Sequence, residues 1–204
     1  MPDARTEILA RIRRSLADRP AGVEIPRDYD QTRPFDDLLT LFAERVTDYR
    51  ATVHNIRARQ LPSAIAAALK RRNAQTVTVP ADVPASWCGS GPDWQVDDPP
   101  LSVDELDKVD GVLTGCALAI AETGTIVLDA GPTQGRRALT LIPDYHLCVV
   151  RAKQVIGTVP QALAQLDPLR PLTFISGPSA TSDIELNRVE GVHGPRTLEV
   201  LLVS

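Results

Sequence analysis

Residues 198–203 read Leu-Glu-Val-Leu-Leu-Val. A nearly continuous apolar run of this length is the pattern of a strand buried on both faces, as inside a parallel sheet. Working back through the chain, similar short runs recur at Leu172–Ser176, His146–Val150, Thr125–Leu128, Ala117–Ala121, Val112–Gly115, Thr76–Val79 and Ala51–His54. Helical patterns alternate with them. Phe35, Leu38, Leu39, Phe42 and Val46 share one helical face, with Asp36 and Asp37 in the first turn, where carboxylates favour the dipole. Leu61–Arg72 carries Pro62 in its first turn, and Ser102 with Glu105 forms a capping box ahead of a helix over Leu101–Lys108. Gly135–Ile142 and Thr158–Leu166 read as further short helices. Strands alternating with helices, and apolar on both faces, specify an α/β architecture: a mostly parallel sheet flanked by helices.

The ends of this pattern set the organisation. Ile8, Leu9, Ile12 and Leu16 make one stripe of an N-terminal helix that Pro20 ends, and a Pro-containing linker runs to Pro34. Residues 1–34 therefore read as a helix plus tether, and residues 35–204 as one α/β domain. The stripe is suited to cover its own body, a partner or a second copy. Pro80–Pro100, with five prolines, reads as loop. Trp87 and Trp94 are expected to anchor that loop.

Composition narrows the function. The chain has 204 residues, 43% hydrophobic and 24% charged, which suits an ordinary globular fold and excludes disorder and coiled coil. Aromatics are 4%, so the core is aliphatic. A formal charge of −4 lacks the basic excess of a nucleic-acid binder. No apolar run approaches a membrane span, and the start carries no signal-peptide core. Cys88, Cys116 and Cys148 form no Cys-x-x-Cys pair, so neither a zinc site nor a cysteine-ligated iron–sulfur cluster is encoded locally, and Asp183, Glu185 and His193 lack the third histidine or tight spacing of a metal site. Scattered free thiols suit a reducing cytoplasm.

In open α/β sheets ligands bind beyond the carboxyl ends of strands. On that rule, the loops after the strands are expected to converge on one crevice. Three segments draw attention. Ile175-Ser176-Gly177-Pro178-Ser179-Ala180-Thr181-Ser182-Asp183-Ile184-Glu185 runs from a strand into a hydroxyl-rich turn and offers backbone N–H groups and the Ser179, Thr181 and Ser182 hydroxyls as an anion cradle leading into a short helix. The plain alternative is a capping cluster. Glu122-Thr123-Gly124-Thr125 is a tight turn whose carboxylate suits acid–base work or a ligand hydroxyl; an ordinary solvated turn is the plain alternative. Gly191-Val192-His193-Gly194-Pro195-Arg196 gives a histidine suited to proton transfer and an arginine suited to gripping carboxylate or phosphate; a structural loop histidine is the plain alternative. Arg136 and Arg137 open a helix, an unfavourable place for cations that implies a ligand or carboxylate nearby. His146 is a lesser candidate, and His54 reads as a surface residue.

Taken together, Thr114-Gly115 with Ala119–Thr125, Arg137–Pro143 with His146, Gly177–Glu185, and Gly191–Pro195 running into the 198–203 strand resemble the lactate-utilisation protein C family, the shorter members of the LUD-domain group. The likeness is strongest over residues 109–204. It implies a fold similar to ribose-5-phosphate isomerase and coenzyme A transferases. It also implies a cytoplasmic role in oxidising L-lactate to pyruvate beside iron–sulfur partner proteins, with any electron carrier on the partner. The candidate catalytic residues are then Glu122, His193 and Asp183. The candidate ligand-binding residues are Thr123, Gly124, Thr125, Arg137, Gly177, Ser179, Thr181, Glu185 and Arg196, serving a small carboxylate or phosphorylated ligand. Two other readings stand beside this accessory role. One is a stand-alone isomerase or acyl-transferase with Glu122 as base and His193 as acid. The other is an interaction module that pairs, or self-associates, through its N-terminal helix.

Overall fold

In the computed structural model, the described residues are 3–18, 22, 25–181, 189–191 and 193–204, with Thr181, Val189 and Glu190 described by backbone alone. The chain divides into two units, 1–30 and 31–204. The first contains helix α1 (Ala4–Ser15), in which Glu7 and Arg11 pair at 2.6 Å one turn apart.

The second unit runs through α2 (Leu38–Asp48), β1 (Thr52–Ile56), α3 (Leu61–Arg71), β2 (Thr76–Val79), β3 (Asp93–Val96), α4 (Val103–Leu106), β4 (Gly111–Thr114), β5 (Leu118–Ile120) and β6 (Thr125–Leu128). It continues with β7 (Tyr145–Arg151), β8 (Val155–Ile156), α5 (Val159–Leu163), β9 (Thr173–Ile175), β10 (Ala180–Thr181), β11 (Val189–Glu190) and β12 (Thr197–Val203). Six strands form one sheet in the order β1-β12-β7-β4-β2-β3, and every pairing in it is parallel. This is the α/β fold with a parallel sheet that the apolar runs specify. The strand at 198–203 lies inside it, between β1 and β7.

Both faces of β12 are covered, for different reasons. Leu201 and Val203 pack with Leu61, Ile65 and Leu69 of α3. Leu198, Val200 and Leu202 pack with Phe42 and Val46 of α2 and with Ala119, Ala121 and Ile126. So one face meets a helix, while the other also meets a second, four-stranded sheet in the order β8-β5-β6-β9. That sheet is mixed: β5 pairs antiparallel to β6 and parallel to β8, and β6 pairs antiparallel to β9. Among the described residues, no helix is long and apolar enough to cross a membrane.

The caps explain several boundaries. Asp37 is the N-cap of α2 rather than a first-turn residue: its Oδ1 accepts from Leu39 N at 3.0 Å and Thr40 N at 3.2 Å. Ser102 and Glu105 make the expected capping box on α4. Elsewhere the structure departs from expectation. The helix expected over 135–142 is only a 3₁₀ turn, Arg137–Thr140, and α5 stops at Leu163. The 80–100 stretch contains β3, whose Asp-Trp-Gln-Val sequence hides it: it is short, half polar and at the sheet edge. Trp87 is buried, and the Trp94 indole donates to Gly89 O at 2.9 Å, so both hold the loop as expected.

Gly124 sits in the β5–β6 turn at φ +60°, where an added Cβ would stand 2.6 Å from the Arg45 carbonyl carbon. Only glycine fits. Gly124→Ala is expected to cost about 1–2 kcal/mol from the left-handed backbone alone, with the clash adding to it. The check is a lower urea midpoint at an unchanged slope.

Candidate functional site

The motif segments meet at a hollow of about 460 Å³. Its walls include Arg137 and Thr140 from the 3₁₀ turn, His146 and Leu198 at the starts of β7 and β12, Ser176–Ser179 after β9, and His193–Pro195 before β12. Tyr49, just past α2, completes one side. The position corrects the strand-end expectation. Within the main sheet, the hollow lies at the amino ends of β7 and β12, and the Ser176–Ser179 loop reaches it from the end of β9 in the second sheet.

Each group is held by its neighbours. Ser179 organises the two loops: its N donates to Pro195 O at 2.8 Å, its O accepts from Gly191 N at 2.9 Å, and its Oγ accepts from His193 N at 3.1 Å. Among the described residues no acceptor of the Ser179 hydroxyl hydrogen is seen, which leaves it for a ligand. Gly177, at φ +144°, backs onto Tyr49, where a Cβ would stand 2.7 Å from the tyrosine Cβ. His146 is 1% exposed, and its Nε2 lies 2.8 Å from Thr114 Oγ1. Arg137 is exposed at the rim and has no carboxylate within ion-pair distance among the described residues. A cation facing a hollow with no counterion suits an anionic guest.

The remaining candidates fall as follows. Glu122 is not among the lining residues. Its Oε1 accepts from Val159 N at 3.0 Å, at the start of α5, and its Oε2 pairs with Arg33 at 3.0 Å. Glu122 and His193 are thus not brought to one hollow. Thr123 and Thr125 reach the site indirectly: their hydroxyls lie 2.8 Å apart, and Thr125 Oγ1 lies 2.8 Å from Ser176 Oγ on the wall. Gly124 shapes the turn. Arg196 is outside the wall, its Nε 3.5 Å from Asp144 Oδ1 and its stem packed under Gly191. Asp183 and Glu185 lie outside the described residues. Thr181 is in β10, where a helix was expected, and its side chain is not described. Arg136 is satisfied within the protein by Asp97, at 2.7 Å to its Nε, and by Leu101 O. Burial pushes the Asp97 carboxyl up, but the Arg136 hydrogen bonds and charge hold it below its ordinary value.

Of the wall residues, Tyr49 carries no local signal in the sequence, while Thr140 and Ser176 stand out there only as members of longer segments. It also misread His54, which is bound at 2.7 Å to Glu199. Behind His146 lie the buried thiols of Cys116 and Cys148, whose mutual interaction holds Cys148 down and pushes Cys116 up. Among the described residues, no group of three or more His, Cys, Asp or Glu side chains is arranged to hold a metal ion.

The model of the LUD domain matches residues 103–203. A protein of Deinococcus radiodurans named lactate utilization protein C is 50% identical over 209 residues, covering 99% of this chain and 96% of the relative. The chain belongs to the lactate utilization protein C family. A namesake in Halalkalibacterium halodurans is 27% identical over 201 residues, 87% of this chain and 86% of its own. The crystal structure of a DUF162 family protein from Deinococcus radiodurans matches with a TM-score of 0.72 at 46% identity, covering 84% of this chain and all of that one. The LUD match takes in Arg137, His146, Ser176–Ser179 and His193, so in this lactate utilization protein C homologue these hollow-lining groups all belong to the LUD domain.

Proposed function

We propose that the chain serves cytoplasmic lactate utilization as an accessory component that binds a small anion in the 460 Å³ hollow and works beside iron–sulfur proteins. Membership in the lactate utilization protein C family supports the pathway. The observation that carries the ligand class is the convergence of Arg137, His146, Ser179 and His193 on one hollow, with no carboxylate paired to Arg137 among the described residues. Arg137 grips the carboxylate or phosphoryl group. Ser179 donates its hydroxyl hydrogen, and His193 lies where a hydroxyl or keto oxygen of the guest comes to rest. The three cysteines of this chain form no cluster-binding motif, so any iron–sulfur clusters would be held by partner proteins, where they would supply the acceptor for the electrons of lactate oxidation.

Calorimetric titration of the full chain with L-lactate, pyruvate and a sugar phosphate tests this reading. Saturable binding of at least one is expected. Silence from all three, with the iron–sulfur partners also supplied, contradicts it.

A further inference from the structure

A second hollow, of about 500 Å³, lies at the opposite end of β7. Its wall includes Cys116 and Ala117, just past β4, and Arg151, Lys153 and Gln154, at the end of β7 and in the turn after it. These are the carboxyl ends of two adjacent parallel strands, where α/β sheets hold their ligands. The volume falls in the usual range for small-molecule sites.

The chemistry of the wall is cationic. Among the described residues, neither Arg151 nor Lys153 has a carboxylate within ion-pair distance. The Arg151 guanidinium rests 6.0 Å from the Trp87 ring centre. The acid in the wall, Asp129, is already committed: Oδ2 pairs with Arg170 at 2.8 Å, and Oδ1 accepts from Gly131 N at 3.0 Å and Gln134 Nε2 at 2.8 Å.

The cations stand on a fixed support. Gln154 Oε1 accepts from Arg151 N at 2.9 Å, closing the turn that carries Lys153. Gln154 Nε2 donates to Cys116 O and Ala117 O, tying that turn to the loop after β4. On the far side, Thr133 is held at φ +64°, a conformation that persists where the surroundings enforce it and that gathers at ligand sites. Thr133 O accepts from Gly115 N at 2.8 Å, and a Cβ on Gly115 would stand 2.2 Å from Thr133 Oγ1.

We propose that this hollow is a second binding site, for a doubly charged oxyanion held between Arg151 and Lys153: free phosphate or the phosphoryl group of a larger metabolite. It is separate from the ligand of the first hollow and does not depend on it.

The test is an amide-resonance titration of the full ¹⁵N-labelled chain with inorganic phosphate and, in a second arm, glycerol 3-phosphate. Saturable shifts are expected at residues 115–117 and 151–154. Lys153→Gln and Arg151→Gln should each weaken binding about tenfold, the scale of one lost charged hydrogen bond, whereas Arg137→Gln in the first hollow leaves it unchanged. Tighter binding of glycerol 3-phosphate identifies a phosphorylated metabolite, and equal binding identifies the free anion. Absence of saturable shifts at these residues, indifference to both substitutions, or loss on Arg137→Gln overturns the proposal. Because Lys153 is exposed, its substitution leaves the fold intact, and lactate or pyruvate shifts at the first hollow are read separately.

Discussion

Replacing Glu199 by alanine is expected to cost the fold about 3 kcal/mol, the lower end of the range for removing one partner from a buried ion cluster, because Arg71 and Arg72 still reach water. Glu199 is 3% exposed in the middle of β12. Its Oε1 lies 2.6 Å from Arg71 Nη2 and 2.7 Å from His54 Nε2, and its Oε2 accepts from Tyr145 OH at 2.9 Å, with Arg72 Nε 3.9 Å away. Truncation leaves the buried Tyr145 hydroxyl without its acceptor. Burial alone raises the Glu199 pKa, but the hydrogen bonds from Arg71, Tyr145 and His54, with the Arg71 charge, bring it below the ordinary glutamate value. Burial, then the Glu199 charge, pushes the Tyr145 phenol up. The carboxylate is therefore worth most above the unfolded glutamate pKa, and its contribution fades as pH falls through the lower, folded value. Urea midpoints of wild type and Glu199→Gln should converge as pH drops through that acid window. A difference independent of pH would show that the charge is not what stabilises.

The largest functional effect is expected at Arg137. Arg137→Gln should weaken binding of a small carboxylate in the first hollow by about 10- to 100-fold, since a hydrogen bond to a charged group is worth about 1.5–3 kcal/mol. Stability should move by less than about 0.5 kcal/mol, because the side chain is exposed and makes no ion pair among the described residues. Calorimetry and thermal denaturation on the same samples separate the two. A stability loss without an affinity loss would make Arg137 a structural residue.

The fold was legible where one physical cause dominated locally. The 198–203 run is apolar on alternate residues of both faces because α3 covers one face and α2 with the second sheet covers the other. The Ser102–Glu105 box is local, so spacing found it. The four-stranded sheet was not legible as a separate layer: its strands are two to four residues long, and their pairing is decided by distant segments such as Ile126 against Ile175. Glu199 passed unremarked inside an apolar run, although a carboxylate in an interior strand demands buried partners. Those partners stand on β1, α3 and β7, and no local spacing connects them. The same limit explains His54.

For the site, residue types were readable but not their directions. Arg137, Gly177, Ser179 and His193 do share a hollow. Glu122 was singled out for standing in a turn, yet that turn faces the start of α5, where the carboxylate accepts a backbone N–H and an arginine. The strand-end rule assigned the loops to one rim. It did not anticipate that the segments before β7 and β12 would fold back to meet a loop from the second sheet.

The most direct test of the central claim is to titrate the full ¹⁵N-labelled chain with pyruvate and map the amide shifts. Saturable changes concentrated at residues 137–140, 146, 176–179 and 193–194, and lost in Arg137→Gln, are the expected result. Shifts centred elsewhere on the molecule, or unchanged by that substitution, would contradict the account.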